Sequence, residues 1–145
     1  MSEDANGGPA IKVLDAWAVV AWLKGEAPAC DLVEGLWQQA RAGTIRLMLN
    51  IVNLGEVFYI TSKAQGLRSA ELVVSELQAL PVEVRAAPNY LVLEAAQLKA
   101  QHPISYADAF AVATALREKG SLVSGDPELK RFVGSGVVEV EWLGR

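Results

Sequence analysis

The sequence has little of two residues from which many catalytic and structural sites are built. Among 145 residues there is one cysteine, Cys30, and one histidine, His102. A single thiol excludes an internal disulfide and a zinc site made of several thiolates. We therefore interpret Cys30 as a small apolar core residue and His102, which precedes Pro103, as a surface-loop residue rather than a general base.

Long apolar runs and targeting segments are also absent from the sequence. No stretch approaches the roughly 18 apolar residues that a membrane span needs. The first residues, Met-Ser-Glu-Asp, have neither the basic nor the apolar region of a secretory signal. We expect a cytoplasmic protein that does not associate with a membrane.

Positive charge is in deficit: 13 Lys and Arg stand against 17 Asp and Glu, for a net charge of −4. Bulk charge therefore gives no general attraction to a nucleic-acid backbone, and binding one would need a local basic patch or bound metal ions. The hydrophobic fraction of 52% and the length are typical of one globular domain with its own core.

Residue periodicity predicts short strands alternating with longer helices. Residues 1–10 contain Asn, Gly, Gly and Pro beside charges and are predicted to be a flexible N-terminal tail, which leaves 11–143 as the folded domain. The predicted strands are 11–14, 46–49, 81–85, 122–124 and 137–142. The predicted helices are 16–24, 29–42, 53–65, one that starts at 69, 89–101, 105–119 and 127–133.

Strands separated by helices pair in parallel through crossover connections. The pattern therefore predicts a three-layer α/β/α domain with a central parallel sheet of about five strands. In such sheets a ligand binds beyond the carboxyl ends of the strands, where the strand order switches. The acidic residues expected at that edge are Asp15, Glu56, Asp108 and Asp126.

Each of these four acids has two interpretations. Asp15 and Asp126 are placed to cap the helices that follow them, and Asp126 precedes a proline as good N-caps often do. Glu56 and Asp108 each stand three residues after a capping residue, in a pattern similar to a capping box. Taken singly, each acid fits helix capping as well as it fits a functional site.

Helix capping does not explain why all four acids would lie together in one cleft. Four carboxylates in one cleft repel one another, because like charges a few ångströms apart disfavour joint ionisation. A divalent cation removes that cost, and an oxygen-only set of ligands suits Mg²⁺ or Mn²⁺. The residues alone leave open whether such a site belongs to a nuclease, a phosphatase or a phospho-acceptor domain.

The motifs around these acids resemble those of PIN domains, and most closely those of VapC-type toxins of toxin–antitoxin pairs. Order and spacing fit over roughly residues 11–143, with two departures: Ala16 replaces a small hydroxyl residue, and Ser124 replaces the more frequent Thr. The matching segments are VLDA at 13–16, NLGEV at 53–57, SYADAFAVATA at 105–115 and SGDPE at 124–128.

The resemblance implies a Mg²⁺- or Mn²⁺-dependent endoribonuclease that dimerises and is held inactive by a cognate antitoxin protein. It implies that Asp15, Asp108 and Asp126 are metal ligands. Glu56 would be a ligand or a water-orienting group, and Ser124 would hydrogen-bond a ligand or the RNA substrate. By this resemblance all four acids are the catalytic residues of a hydrolase acting on phosphodiester bonds.

Several further residues and two other functions stay open at this stage. Trp22 and Trp37 would line an antitoxin groove or a dimer interface, or else belong to the core. Two alternative functions are a catalytically silent PIN-like domain that binds proteins and a phospho-receiver signalling domain. The candidate contacts to RNA phosphates, each equally interpretable as part of a solvated helix face, are Lys63, Arg68, Lys130 and Arg131.

Overall fold

The computed structural model describes residues 7–145. Residues 1–6 of the predicted tail lie outside this range, and the first strand begins at Ala10, one residue earlier than expected. The strands are β1 (Ala10–Leu14), β2 (Ile45–Asn50), β3 (Val82–Arg85), β4 (Ser121–Ser124) and β5 (Val140–Trp142). The helices are α1 (Ala16–Lys24), α2 (Ala29–Arg41), α3 (Ile51–Gln65), α4 (Leu67–Gln78), α5 (Asn89–Gln101), α6 (Tyr106–Arg117) and a 3₁₀ helix at Pro127–Phe132.

The five strands form one parallel sheet in the order β3-β2-β1-β4-β5. From β1 the chain builds outward through β2 to β3, and then returns to the other side of β1 to add β4 and β5. The order therefore switches between β1 and β4, whose carboxyl ends lie side by side with Leu14 paired to Val123. This arrangement confirms the predicted three-layer α/β/α architecture.

Strand β1 lies in the middle of the sheet, and helices cover both of its faces. Val13 packs with α5 and α6 on one side of the sheet, whereas Leu14 packs with α1 and α2 on the other. Both side chains are fully buried, as expected for a strand of a parallel sheet with helices on each face. The two cores hold the carboxyl ends of β1 and β4 in fixed positions.

Most element boundaries agree with the sequence prediction within two residues, and the start of β5 differs by three. Helix α3 begins at Ile51 rather than at 53, with Asn50 as its N-cap. Strand β5 begins at Val140 rather than at 137. The predicted helix at 127–133 is a 3₁₀ helix that starts with Pro127, directly after its N-cap Asp126.

The longest helix among residues 7–145 is α3, with 15 residues. Within that range no helix is both long enough and apolar enough to cross a membrane.

Candidate acidic metal site

Asp15 follows β1 and is the N-cap of α1. Its Oδ1 accepts a hydrogen bond from the Ala18 backbone N–H at 2.8 Å, and its Oδ2 accepts one from the Ser124 hydroxyl at 2.5 Å. The side chain is fully buried. The capping interpretation is therefore right for this residue, and the cap holds the carboxylate at the switch point of the sheet.

Asp126 occupies the equivalent position after β4. Its Oδ1 accepts a hydrogen bond from the Glu128 backbone N–H at 2.9 Å and so caps the 3₁₀ helix. Its own backbone N–H donates to the Ser124 hydroxyl oxygen at 3.0 Å. The hydroxyl of Ser124 thus connects the Asp15 carboxylate with the turn that carries Asp126.

Asp108 enters the same region from the first turn of α6. Ser105 is the N-cap of this helix, and its hydroxyl oxygen accepts from the Asp108 backbone N–H at 3.1 Å. The Glu128 carboxylate accepts a hydrogen bond from the Ser105 backbone N–H. Because the Glu128 backbone N–H also donates to the Asp126 carboxylate, the starts of α6 and of the 3₁₀ helix are tied together.

The structure brings three of the four predicted acids into one cluster. Asp15, Asp108 and Asp126 each offer a carboxylate oxygen, and these oxygens lie within 4.8 Å of one another. Glu56 is outside this tight group but lines the same cavity as Asp108 and Asp126, which has a volume of about 240 Å³. The four acids therefore lie at one edge of the sheet, three of them at ligand-sharing distance.

Glu56 lies in the second turn of α3 and is oriented by Asn53. The Asn53 Nδ2 donates to Glu56 Oε1 and to the Ala107 carbonyl oxygen, both at 3.0 Å. Asn53 is therefore not the helix cap predicted from the sequence, because Asn50 has that role. Its Oδ1 is buried and accepts no hydrogen bond from the described residues.

Burial and mutual repulsion raise the pKa values of three of these acids. Desolvation by burial raises the pKa of Asp15 to about 7, opposed by its hydrogen bonds and aided by the charges of Asp126 and Glu56. Desolvation, followed by the charges of Asp126 and Asp15, raises the pKa of Asp108 to about 8. Burial also raises the pKa of Glu56, against the hydrogen bond from Asn53.

The residues fit a divalent cation by the chemistry of their donors. All are carboxylate oxygens, which are the ligands that Mg²⁺ and Mn²⁺ prefer. Burial and the charges of neighbouring carboxylates raise the pKa values of Asp15 and Asp108, so the cluster disfavours ionisation of all its acids together. A bound cation would supply positive charge and allow the carboxylates to ionise together.

Two contacts of the site carry no clear sequence signal. Asn53 stands in a capping-box pattern, which is why the sequence predicts a cap and not a partner for Glu56. Glu128 bonds to the backbone of a residue 23 positions earlier, a contact that no local pattern encodes. Asn53 is fully buried in the structure, which marks it as a partner within the site rather than a surface residue of α3.

The other residues considered in the sequence have varied environments. Trp37 is 1% exposed and belongs to the core, whereas Trp22 is half-buried and donates from Nε1 to Glu34 at 2.8 Å. Cys30 is half-buried beside the Trp22 carbonyl oxygen rather than deep in the core. The His102 ring packs edge-on against Phe132, with 5.1 Å between ring centroids.

The four basic residues considered as contacts to RNA phosphates have different environments. Arg68 is exposed, and Lys63 Nζ lies 5.9 Å from the centroid of the Tyr59 ring. Arg131 donates from Nε to the Glu128 carbonyl oxygen at 2.9 Å. Lys130 lines a second cavity beside the acidic one.

Comparisons with known proteins agree with this architecture. The toxin VapC20 of Mycobacterium tuberculosis, which cleaves the sarcin–ricin loop, is 19% identical with a TM-score of 0.67, covering 89% of this chain and 98% of that one. The DNA-bound VapBC of Salmonella typhimurium is 15% identical with a TM-score of 0.70, covering 92% and 98%. VapBC2 of Rickettsia felis, bound to a promoter DNA fragment, is 17% identical with a TM-score of 0.68, covering 90% and 97%. At these identities the likeness shows a shared fold.

No curated protein sequence is significantly similar to the chain. The family model of the PIN domain matches residues 12–134, which include all four acids of the site. The chain therefore belongs to the PIN domain family.

Proposed function

We propose that the chain is a Mg²⁺- or Mn²⁺-dependent endoribonuclease and the toxin of a type II toxin–antitoxin pair. The observation that carries the proposal is the cluster of Asp15, Asp108 and Asp126, with carboxylate oxygens within 4.8 Å at the switch point of the sheet. Membership of the PIN family and the likeness to solved VapC and VapBC structures support the same function.

In this proposal Asp15, Asp108 and Asp126 hold the cation. When bound, the cation supplies an activated water and positive charge for the phosphodiester and its leaving oxygen. The buried hydrogen bonds of Asp15 fix its orientation, and Ser124 keeps Asp15 and Asp126 at a constant separation. These contacts preorganise the site, so little rearrangement is needed when substrate arrives.

Glu56 is suited to receive a proton from the attacking water. Its pKa is raised by burial, and a carboxylate whose pKa lies nearer to neutral is the better general base. The hydrogen bond from Asn53 Nδ2 holds Glu56 Oε1 in place. Glu56 lines the same cavity as the proposed ligands Asp108 and Asp126, which supports this role.

The proposed partners are an RNA substrate, an antitoxin protein and a second copy of the chain. VapBC complexes among the structural neighbours support the antitoxin. The half-buried Trp22 on α1 is the candidate anchor for that protein. Copurification of a small protein encoded next to this one, and the mass of the isolated chain by light scattering, test the two protein partners.

The alternative functions are less well supported. A receiver domain of the flavodoxin-like kind has the strand order 2-1-3-4-5, and the order here is 3-2-1-4-5. A catalytically silent PIN domain would have no need to keep four mutually repelling acids in one place. That alternative would gain support if calorimetry detected no divalent-ion binding.

The experiment is cleavage of a labelled RNA pool by the purified chain in Mg²⁺ or Mn²⁺. Cleavage is expected with the wild type, but not in excess EDTA and not with Asp15→Asn. Asp31→Asn, which changes an exposed acid of α2, is the matched control and should cleave normally. Cleavage that persists in EDTA, or equally in Asp15→Asn, would contradict the proposal.

A further inference from the structure

We propose that a second cavity, next to the acidic one, binds one nucleotide of a single-stranded RNA beside the nucleotide whose phosphate reaches the carboxylates. This inference rests on the proposed ribonuclease function. The cavity has a volume of about 310 Å³ and is called here the tryptophan cavity. The lining residues that matter are Trp17, Gly125, Pro127, Lys130, Trp142 and Arg145.

The tryptophan cavity adjoins the acidic cavity. Trp17 and Glu26 line both of them. Asp126 lines the acidic cavity, whereas its two neighbours in sequence, Gly125 and Pro127, line the tryptophan cavity. The two cavities therefore lie on opposite sides of one short turn. A strand that places a phosphodiester at the carboxylates can continue over that turn.

Trp17 and the turn at Gly125 separate the two cavities and pack tightly against each other. A Cβ atom on Gly125 would lie 2.3 Å from Cζ3 of Trp17, so the indole ring lies directly against the backbone of the turn. Only glycine permits this approach. Trp17 is consequently held in a fixed place against the turn that carries the proposed metal ligand Asp126.

The chemistry of the tryptophan cavity suits a nucleotide. Trp17 and Trp142 offer aromatic rings, on which any base stacks through its π-face. Lys130 Nζ lies 5.9 Å from the centroid of the Trp142 ring, so a cation and a stacking surface occur together. Stacking rings beside positive charge are typical of single-strand binding, in which sequence preference is weak.

Charge distinguishes this cavity from the acidic one. Lys130 and Arg145 are cations of its lining, and the single acid there is Glu26. Lys24 Nζ lies 3.8 Å from Glu26 Oε1 and offsets part of that negative charge. In a chain with a net charge of −4, this local excess of cations is the kind of patch that phosphate binding requires.

A nucleotide fits these features better than a protein segment does. The volume is at the lower end of the roughly 300–1,000 Å³ typical of pockets for small ligands. The cations suit a phosphate and the aromatic rings suit a base. The neighbouring acidic cluster, the proposed metal site, suits the next phosphodiester of the same strand. A segment of a partner protein is the competing occupant, and the test below includes it.

The test measures binding of a short fluorescent single-stranded RNA to the full chain by anisotropy, in EDTA, over a range of salt concentrations. Lys130→Gln should lower the slope of log Kd against log salt by about 0.7, the value for one phosphate contact on a single strand. Trp142→Leu should weaken binding on the order of 10-fold, whereas Trp142→Phe should retain most of it.

Lys119→Gln is the matched control. Lys119 precedes Gly120 and the first residue of β4, so it lies at the opposite edge of the sheet from Asp126. Removing this charge should leave both the Kd and the salt slope unchanged. Melting temperatures check that each variant folds, and if Trp142→Leu does not fold, the salt slope of Lys130→Gln decides.

The inference is overturned if Lys130→Gln binds RNA with the wild-type affinity and salt slope while the wild type still cleaves RNA in Mn²⁺. It is also overturned if Lys130→Gln binds RNA normally but no longer copurifies with its partner, since a protein segment would then occupy the cavity. Absence of RNA cleavage by the wild type would instead contradict the proposed function. The two failures are therefore distinguishable.

Discussion

The hydroxyl of Ser124 donates a hydrogen bond of 2.5 Å to the carboxylate of Asp15, across two neighbouring parallel strands. The same oxygen accepts from the Asp126 backbone N–H at 3.0 Å. Ser124 is fully buried, so water cannot replace either contact. A single side chain thus sets the position of one proposed metal ligand and of the turn that carries another.

Replacement of Ser124 by Ala is expected to weaken Mn²⁺ binding on the order of 10-fold or more, because partners that orient a ligand contribute that much to affinity. Threonine keeps the hydroxyl, so Ser124→Thr should bind Mn²⁺ nearly as well as the wild type. Calorimetric titration of Mn²⁺ measures both. Equal affinity in Ser124→Ala and the wild type would show that the hydroxyl does not position Asp15.

The metal-free protein is expected to lose stability as the pH rises. The folded state holds Asp15 with a pKa of about 7 and Asp108 with one of about 8, both above the ordinary value of 3.8. Between about pH 4 and about pH 8 these carboxyl groups are more protonated in the folded state than in the unfolded state. The free energy of unfolding therefore falls as the pH rises through this range. Each unit by which a folded-state pKa is raised contributes about 1.4 kcal/mol to this loss.

Urea unfolding in EDTA at a series of pH values measures this loss. Glu83→Gln is the control, since Glu83 forms a surface ion pair with Arg46 and its removal should leave the decline in place. A free energy of unfolding that stays constant or increases between pH 5 and pH 8 would contradict the raised pKa values.

Removing one acid should stabilise the metal-free protein at the cost of its proposed function. In Asp108→Asn a buried charge and its repulsion with Asp126 and Asp15 disappear. We expect its free energy of unfolding in EDTA at pH 8 to rise by about 1–2 kcal/mol. Thermal melts with and without Mn²⁺ measure this, and Mn²⁺ should raise the melting temperature of the wild type but not of Asp108→Asn.

Asp31→Asn serves as the control for these melts, because Asp31 is exposed and does not line the acidic cavity. Its melting temperature should match that of the wild type in EDTA and rise equally with Mn²⁺. A destabilised Asp108→Asn that still responds to Mn²⁺ would mean that Asp108 is not a ligand.

Asn53 is expected to act on the reaction through Glu56. Its Nδ2 hydrogen bond lowers the pKa of Glu56, so Asn53→Ala should move the acidic limb of the pH–rate profile to higher pH. RNA cleavage near pH 6 should fall on the order of 10-fold, with Mn²⁺ affinity little changed. A pH–rate profile of unchanged shape would assign Asn53 a purely structural role between α3 and α6.

The sequence predicts the fold well because local patterns and the crossover rule agree with each other. Alternating strands and helices permit few topologies, and the rule that ligands bind beyond the carboxyl ends of strands led to all four acids. Asp15 and Asp126 also carry local information, since each caps the element that follows it. For Asp15 and Asp126 the capping and functional interpretations are compatible, because each residue caps a helix and also lies in the acidic cluster.

The predicted start of α3 was wrong because two possible helix-capping residues stand close together in the sequence. Asn50 and Asn53 both precede a helical run, and the capping-box spacing from Asn53 to Glu56 favoured the later start. In the structure Asn50 accepts from the Val52 backbone N–H, which frees Asn53 to contact Glu56. The choice depends on where β2 stops pairing with β3, which is at Asn50, and no local window contains that information.

Contacts between distant segments also lay beyond sequence reasoning. The bond from Ser105 to Glu128 and the packing of Trp17 on Gly125 join residues that are far apart in the chain. Such contacts follow only once the sheet order is known. They matter here because they set the separation of the acids and the boundary between the two cavities.

The most direct test of the central claim is anomalous diffraction from crystals of the wild-type chain soaked in Mn²⁺. The account predicts a strong anomalous peak bonded to oxygens of Asp15, Asp108 and Asp126, with Glu56 bound directly or through water. Crystals that show Mn²⁺ peaks only elsewhere, with no density among these carboxylates, would contradict it.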